Sequence, residues 1–394
     1  MTTSTTSLPD PTASTSVSTS SSMTKPPSTI PTRLLLLSDT HIRSRSKTPL
    51  PFPVPSIPGG ADIVIHAGDI TNSSALSEFS LCLSYLRQLP AQLKLIIAGN
   101  HDFTLDLSVY SQYVATRSNS ALGNLTRRKG LGEVGEAKRL LEEARKDGIF
   151  YLEEGTHTFD LANGARLVVY ASPATPAFGS QGFQYTAEEG HVFEIPEEAD
   201  LVVSHGPPRG VLDVSRLTRQ SCGSVELWER VREVTPKLHV FGHIHEAWGA
   251  AVVRWPLSDE GQGLNGKDGK EKKGKEEAEM TVLVDRRDVE EGWKDSKEER
   301  KRKQDKVEKI VRDGYYPLEY PEKEGGAEQT LFVNAAVPYA PGLVPWLVEV
   351  ELPRSDGDTN RGSTMAEEGN GDSNGRSREY SATNLQQLDV SYGQ

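Results

Sequence analysis

Five short apolar runs in this chain each end in a cluster of polar side chains. The clusters are Ser38-Asp39-Thr40-His41, His66-Ala67-Gly68-Asp69, Gly99-Asn100-His101-Asp102, Ser204-His205-Gly206 and Gly242-His243-Ile244-His245. A run that is apolar at nearly every position is typical of a strand that is buried on both faces of a sheet. Because ligands bind beyond the carboxyl ends of strands in α/β sheets, we predict that these side chains meet at one edge.

The pattern of apolar residues predicts strands that alternate with helices. The predicted strands cover residues 33–37, 62–65, 93–98, 166–171, 200–203, 238–241, 331–334 and 347–351. Apolar side chains recur at helical spacing over residues 75–89, 134–147 and 223–234. This alternation indicates an α/β fold.

The polar residues of this 394-residue chain are concentrated in three segments. Residues 1–31 are mostly Ser and Thr, residues 257–328 are dense in Lys and Glu, and residues 355–394 are rich in Gly, Ser, Asn and Asp. We predict disordered tails at 1–31 and 355–394, and one domain over 32–354 that is interrupted by a charged low-complexity insertion at 257–328. Within the insertion, residues 281–284 favour a short strand, and the rest is interpreted as solvated loop or a lone charged helix.

Charge, cysteine content and hydropathy exclude several classes of protein. The formal net charge of −12 provides no basic field for duplex nucleic acid, so a nucleic-acid partner is disfavoured. Two cysteines, Cys82 and Cys222, are too few for a disulfide framework and indicate a reducing compartment. No apolar run is long enough for a transmembrane helix or a signal peptide. We therefore predict a cytoplasmic protein without a membrane partner; the basic residues 300–303 leave a nuclear location open, and the oligomeric state is not fixed.

The residues at the strand ends have the chemistry of a metal site. Asp39 and His41 are separated by one residue, so both can point to the same side of a strand end, as can His243 and His245. The candidate ligands are Asp39, His41, Asp69, Asn100, His205, His243 and His245. These are too many for one tetrahedral ion and suit two divalent ions. A mixed oxygen and nitrogen set without cysteine favours Mn, Fe or Zn.

Two such ions would make hydrolysis of a phosphate ester the natural reaction. With Asp39, Asp69 and a bridging hydroxide counted, the cluster keeps a charge of about +1, which attracts an anion despite the negative net charge. Paired ions lower the pKa of bound water to about 7 and clamp the attacking and leaving oxygens. We therefore predict attack on phosphorus by a metal-bridging hydroxide.

Four further residues are candidates for catalysis or substrate binding. His101 is predicted not to bind metal, because neighbouring side chains at a strand end diverge; oriented by Asp102, it can stabilise charge on the leaving oxygen or protonate it. Arg209 is either a bidentate phosphate-binding residue or a solvent-exposed arginine. Phe178, beside a Gly-rich loop at 179–182, either stacks on the substrate or packs the loop.

Taken together and in this order, the five clusters resemble the signature of the calcineurin-like metallophosphoesterases, over roughly residues 32–256 and 329–354. The resemblance implies a four-layer α/β/β/α sandwich with His101 as the catalytic histidine. It implies that one ion is held by Asp39, His41, Asp69 and His245. It implies that the second ion is held by Asp69, Asn100, His205 and His243, with Asp69 as the bridge.

A narrower resemblance is to the small metallophosphodiesterases first known from vertebrate brain. It is carried by Ser204-His205-Gly206-Pro207-Pro208, Cys222-Gly223-Ser224 and residues 236–246. Members of that subfamily are manganese-dependent phosphodiesterases, some of which act on cyclic nucleotides, so the resemblance implies a small phosphate-ester substrate. The insertion after His245 and the long tails depart from that subfamily. Two alternatives stay open: a phosphoprotein phosphatase, and an inactive scaffold that binds partners through residues 257–328.

Overall fold

Two large β-sheets form the centre of the protein. The computed structural model describes residues 29–43, 52–117, 130–178, 181–256, 278–323, 327–337, 342–355 and 378–380. Within these residues, the first sheet has six strands in the order β13 (Tyr316–Leu318), β15 (Trp346–Pro353), β1 (Thr29–Leu37), β2 (Ile63–His66), β3 (Leu93–Ile96), β4 (Ile149–Tyr151). The second has eight, in the order β12 (Glu279–Asp285), β11 (Gly249–Arg254), β14 (Gln329–Asn334), β10 (Leu238–Phe241), β9 (Leu201–Ser204), β6 (Arg166–Ser172), β5 (Gly155–Asp160), β16 (Arg378–Tyr380). The short strands β7 (Thr175–Pro176) and β8 (Gln184–Tyr185) pair with each other.

Helices cover the outer faces of both sheets. They are α1 (Leu76–Leu86), α2 (Leu107–Arg117), α3 (Glu136–Glu143), α4 (Val225–Val234) and α5 (Lys297–Asp313), with 3₁₀ turns at Ala144–Asp147, His245–Ala247 and Arg286–Asp288. One buried cluster contains residues of both sheets together with apolar side chains of α1 and α3. A second cluster joins Leu227 and Val231 of α4 to Phe332 of the second sheet. The layers are therefore helix, sheet, sheet, helix, which confirms the predicted four-layer α/β/β/α sandwich. Each helix of the described ranges is too short or too polar to cross a membrane.

The strands that were predicted as buried runs lie next to one another within the two sheets, and all of them except β15, which is antiparallel to β1, pair in parallel with one another. β1, β2, β3 and β4 pair in parallel, as do β6, β9, β10 and β14. In β1, the residues from Leu34 to Leu37 are at most 2 % exposed, as expected for a strand that is covered on both faces. Every predicted strand and helix is present, with bounds that differ by a few residues. The pattern missed β4, which has only three residues, β5, whose sequence is largely polar, and also β7, β8, β11 and α2.

The predicted insertion contributes structure to both sheets. β12 pairs with β11, which confirms the strand expected at 281–284, whereas β13 pairs with β15, so the interpretation of the rest as loop or a lone helix is wrong there. The helix α5 is also packed, because Ile310 is 3 % exposed and lies in the core. The missed strand is β13, which has only three residues, one of them exposed, so its sequence lacks the signal of a buried strand. Residues 257–277 and 324–326 of the insertion lie outside the described residues.

The structured part extends into both predicted tails. β1 begins at Thr29, where it pairs with Pro353 of β15, so residues 29–31 belong to a strand and not to a disordered segment. In the second tail, Arg378–Tyr380 pairs with β5. In both places backbone hydrogen bonds to a distant strand order a polar sequence. Residues 1–28, 356–377 and 381–394, and with them the remainder of both tail predictions, lie outside the described residues.

His239 is a packed histidine in the middle of the second sheet. It is 0 % exposed and its ring contacts those of Phe241 and Phe332. The hydroxyl of Ser204 donates to the carbonyl of Gly206 (2.7 Å), so it accepts the Nε2–H of His239 (2.8 Å). Nδ1 of His239 is buried and has no hydrogen-bond partner among the described residues. Burial lowers the pKa of His239 to about 3, because the charged ring would be poorly solvated.

We expect acid to destabilise the metal-free chain partly through His239. The unfolded chain takes up a proton near pH 6.5, whereas the folded ring stays neutral down to about pH 3, so stability falls as the pH falls through this window. Between pH 7 and pH 5, the wild-type chain should lose about 2 kcal/mol more than the variant His239→Gln, which does not titrate. Urea unfolding in EDTA at both pH values measures the difference. Equal losses in the two chains would contradict the assignment.

Candidate metal centre

Five parallel strands deliver the seven predicted metal ligands to one region. Asp39 and His41 follow β1, and Asp69 follows β2. Asn100 follows β3, and His205 follows β9. His243 and His245 follow β10. Backbone bonds hold these strand ends in register: the N–H of Asp39 donates to the carbonyl of Gly68 (2.9 Å), and that of Gly242 to the carbonyl of His205 (3.0 Å). The meeting of strand ends expected from the sequence is thus present.

Asp39, His41 and His245 form the first group of side chains. One ligand atom from each lies within 4.8 Å of the others. The Nε2 atoms of His41 and His245 are 3.0 Å apart, and Nε2 of His245 is 3.1 Å from Oδ1 of Asp39. Two imidazole nitrogens and a carboxylate oxygen that point at one small region form the kind of donor set that divalent transition metals bind.

Asp69, His205 and His243 form the second group, again with ligand atoms within 4.8 Å. Nε2 of His205 lies 2.9 Å from Oδ1 of Asn100 and 3.4 Å from Oδ1 of Asp69. The other oxygen of Asp69, Oδ2, is 3.5 Å from Nε2 of His41 in the first group. Asp69 therefore lies between the two groups, which is the position that a bridging carboxylate needs.

The two buried carboxylates of the site keep their negative charge. Burial alone would raise the pKa of Asp39, but the imidazoles of His245, His205 and His41 outweigh it and hold that pKa well below its usual range. For Asp69 burial is likewise outweighed, mainly by His205, and the pKa falls to about 2. Both groups are thus anionic at neutral pH, ready to bind cations.

The histidines of the site divide into neutral and charged groups. Burial lowers the pKa of His41 and of His243 to about 4, so both rings offer lone pairs at neutral pH. Burial opposes charge on His205 too, but Asp69 overcomes it and raises the pKa of His205 to about 9. Nδ1 of His41 is buried without a hydrogen-bond partner in the described ranges. Buried carboxylates facing close imidazole nitrogens fit two divalent cations, which would displace the proton of His205.

The backbone at the ligands is strained. Four ligands have left-handed φ angles: Asp39 (55°), His41 (40°), Asp69 (51°) and His243 (65°). Such a conformation costs of the order of 1–3 kcal/mol per residue, persists only where the surroundings enforce it, and is concentrated at functional sites. Gly242 shows how tight those surroundings are, because a Cβ there would lie 2.0 Å from Oδ2 of Asp39.

The structure separates the tasks of His101 and Asp102. Nδ1 of His101 donates to the carbonyl of Asn72 (2.9 Å), so this carbonyl and not Asp102 orients the ring. Asp102 is fully buried and accepts from the backbone N–H groups of Ile70 (3.0 Å), Thr71 (2.9 Å) and Gly99 (2.9 Å). Burial and the nearby Asp69 raise the pKa of Asp102 to about 6. The prediction that Asp102 orients His101 is wrong, because Asp102 instead ties the ends of β2 and β3 together.

Phe178 and Arg209 are both on the surface. The side chain of Phe178 is 72 % exposed, so it does not pack the loop, and its role in stacking on a substrate stays a prediction. Arg209 is exposed and its backbone N–H donates to the carbonyl of Ser224 (2.8 Å). Its role in binding phosphate likewise stays a prediction.

Sequence reasoning missed Gln181. Its Oε1 accepts a hydrogen bond from Nδ2 of Asn100, and its Nε2 is 3.4 Å from Nε2 of His101. Gln181 belongs to the Gly-rich loop that was noted for its aromatic residues. The sequence did offer one signal for Gln181: it is a polar residue next to Gly182, in a loop near the end of a strand.

The sequence profile of the family described as calcineurin-like phosphoesterase matches residues 32–247. The chain is similar to a protein named probable rhamnogalacturonate lyase C from Emericella nidulans, at 35 % identity over 57 % of this chain and 18 % of that protein. It is similar to human metallophosphoesterase domain-containing protein 1, at 34 % identity over 55 % of this chain and 62 % of that protein. A UPF0046 protein of Caenorhabditis elegans is 26 % identical over 55 % of this chain and 64 % of that protein.

In each comparison the chain covers less than two thirds of the relative's length. The profile match, in contrast, extends over more than half of this chain and includes all five polar clusters. The two-sheet sandwich and the candidate metal ligands agree with it. This chain belongs to the calcineurin-like phosphoesterase family.

Proposed function

We propose that this phosphoesterase is a phosphodiesterase that acts on small phosphate diesters, cyclic nucleotides among them, with two divalent metal ions. The observation that carries the proposal is the placement of Asp69. Its two oxygens lie 3.4 Å from His205 and 3.5 Å from His41, so that one carboxylate is shared by both groups of ligands. A shared carboxylate is the feature that distinguishes a two-ion centre from two separate sites.

Each side of the centre has its own residues. Asp39, His41 and His245 would hold one ion, and Asn100, His205 and His243 the other. When bound, two divalent ions supply an activated water and neutralise charge on the phosphoryl oxygens. The protein contributes the rigid strand ends that fix the ligands before the substrate binds.

His101 is the proposed proton donor to the leaving oxygen. Because a carbonyl oxygen only accepts hydrogen bonds, the bond to Asn72 keeps a proton on Nδ1 of His101. Nε2 is therefore the atom that exchanges a proton with the substrate. His101 is close to the ligands, since its ring centroid is 4.5 Å from that of His41. General acid catalysis of this kind contributes typically about 10²–10⁴-fold to the rate.

An activity screen tests the proposed substrate class. With Mn²⁺, we expect bis(p-nitrophenyl) phosphate and cyclic nucleotides to be hydrolysed at least about tenfold faster than a phosphopeptide, a difference of about 1.4 kcal/mol in the barrier. EDTA should remove the activity. Faster hydrolysis of the phosphopeptide would instead support a phosphoprotein phosphatase. An absence of hydrolysis with Mn²⁺, Fe²⁺ and Zn²⁺ would support an inactive scaffold.

A further inference from the structure

We propose that Gln181 is a positioning residue of the metal centre. Its carboxamide fixes the amide of Asn100 in the orientation that presents Oδ1 to the metal ion. The inference rests on the proposed function, because it assigns a task within the two-ion centre. Three observations support it: the hydrogen bonds of Asn100, the contacts of Gln181, and the backbone contacts that hold the loop of Gln181 against the strand ends.

The amide of Asn100 must point in one direction to bind a metal. Its oxygen is the ligand atom, because the amide nitrogen has no available lone pair. The two ends of an amide have nearly the same size, so before an ion binds it is hydrogen bonds that decide which end faces the site. Asn100 is 3 % exposed, and its Oδ1 lies 2.9 Å from Nε2 of His205, a ligand of the same group. On the opposite end, Nδ2 donates to Oε1 of Gln181.

Gln181 is itself held in one orientation. Its Nε2 is 3.4 Å from Nε2 of His101. Nδ2 of Asn100 is a donor, so the atom of Gln181 that faces it is the acceptor Oε1, and the other end of the amide faces the ring of His101. The amide of Gln181 therefore turns its oxygen toward Asn100. A line of polar contacts thus runs from the Asn72 carbonyl to Asn100.

Backbone contacts attach the loop independently of the Gln181 side chain. The N–H of Gly182 donates to the carbonyl of Asn100 (3.1 Å), and the N–H of Phe183 donates to Oδ2 of Asp106 (2.9 Å). Gly182 also packs closely, since a Cβ there would lie 2.8 Å from Cα of Phe103. A substitution at Gln181 that keeps the backbone intact should therefore leave the loop in place, so its effect reports on the side chain.

The test is Mn²⁺ binding to the full chain, measured by titration calorimetry after EDTA treatment. Gln181→Met keeps the length of the side chain but removes the acceptor for Asn100. We expect it to weaken one of two Mn²⁺ sites by about 10–100-fold, the usual effect of losing a group that orients a metal ligand. The same change at Gln112, an exposed residue on α2 whose amide is 3.4 Å from Ser108, should leave both sites unchanged. The metal-free melting temperature of Gln181→Met should match that of the wild type.

Repeating the measurement in a chain that carries Asn100→Asp distinguishes the loss of amide orientation at residue 100 from other effects of Gln181→Met. A carboxylate has two equivalent oxygens and needs no partner to choose between them. In this background, Gln181→Met should change Mn²⁺ affinity by less than about twofold. Equal weakening in both backgrounds, or unchanged affinity of Gln181→Met in the Asn100 chain, would overturn the inference alone. A wild-type chain that binds no Mn²⁺ would overturn the two-ion centre and the inference with it.

Discussion

The variant Asp69→Asn should hydrolyse bis(p-nitrophenyl) phosphate in Mn²⁺ at least about 10³-fold more slowly than the wild type, a loss of about 4 kcal/mol in transition-state stabilisation. Asp69 is 2 % exposed, and its two oxygens face separate groups of ligands. Asparagine keeps one ligand oxygen but places an amide nitrogen, which does not bind metal, toward the other ion. It also removes one of the two negative charges that hold the cations. One substitution therefore damages both halves of the centre.

Asp62→Asn is the matched control for Asp69→Asn. Asp62 precedes β2 and Asp69 follows it, so the two changes remove the same charge at opposite ends of one strand. Oδ2 of Asp62 accepts the N–H of Arg33 (2.7 Å), a bond that asparagine can also make. The control should retain activity within about twofold.

His243→Ala, which removes a ligand from the second group only, should also abolish hydrolysis. Wild-type activity in either Asp69→Asn or His243→Ala with metal bound would refute the centre.

The convergence of the candidate ligands could be predicted because each candidate follows a local signal. The apolar run that ends in Asp39 or Asn100 marks a strand by itself, and parallel strands place their carboxyl ends together. The α/β class followed from the same runs, and the four-layer sandwich was implied by the family resemblance. What the sequence predicted well was therefore encoded within a few neighbouring residues.

The errors concern contacts between distant segments. The carboxylate of Asp102 bonds to Thr71, 31 residues earlier, and no local pattern distinguishes that contact from the expected one with His101. The three-residue strand β13, which the sequence did not indicate, is ordered by backbone pairing with β15. Gln181 reaches Asn100 across 81 residues. Such contacts depend on the assembled fold, so hydropathy and spacing do not report them.

The variant Gly242→Ala should lose the first metal site although no ligand is replaced. Gly242 precedes His243 at the end of β10, and a Cβ there would lie 2.0 Å from Oδ2 of Asp39 and 2.2 Å from Oγ of Ser38. Asp39 is 0 % exposed, so its carboxylate has no space into which it can move. It also accepts the N–H of His243 (2.9 Å) and lies 3.1 Å from Nε2 of His245, contacts that a shift would break. Activity should fall at least about 100-fold, as for the loss of an oriented ligand.

Metal analysis distinguishes this steric effect from a general loss of folding. Gly242→Ala should bind about one Mn²⁺ where the wild type binds two, because Asn100, His205 and His243 belong to the other group of ligands. Gly130→Ala is the control: its φ of +67° makes alanine unfavourable, but no atom of the described residues lies within 4 Å of the added Cβ. That variant should lose roughly 1 kcal/mol of stability and keep both ions. Two bound ions and full activity in Gly242→Ala would mean that the carboxylate of Asp39 can move, and that the close packing at this glycine does not define the site.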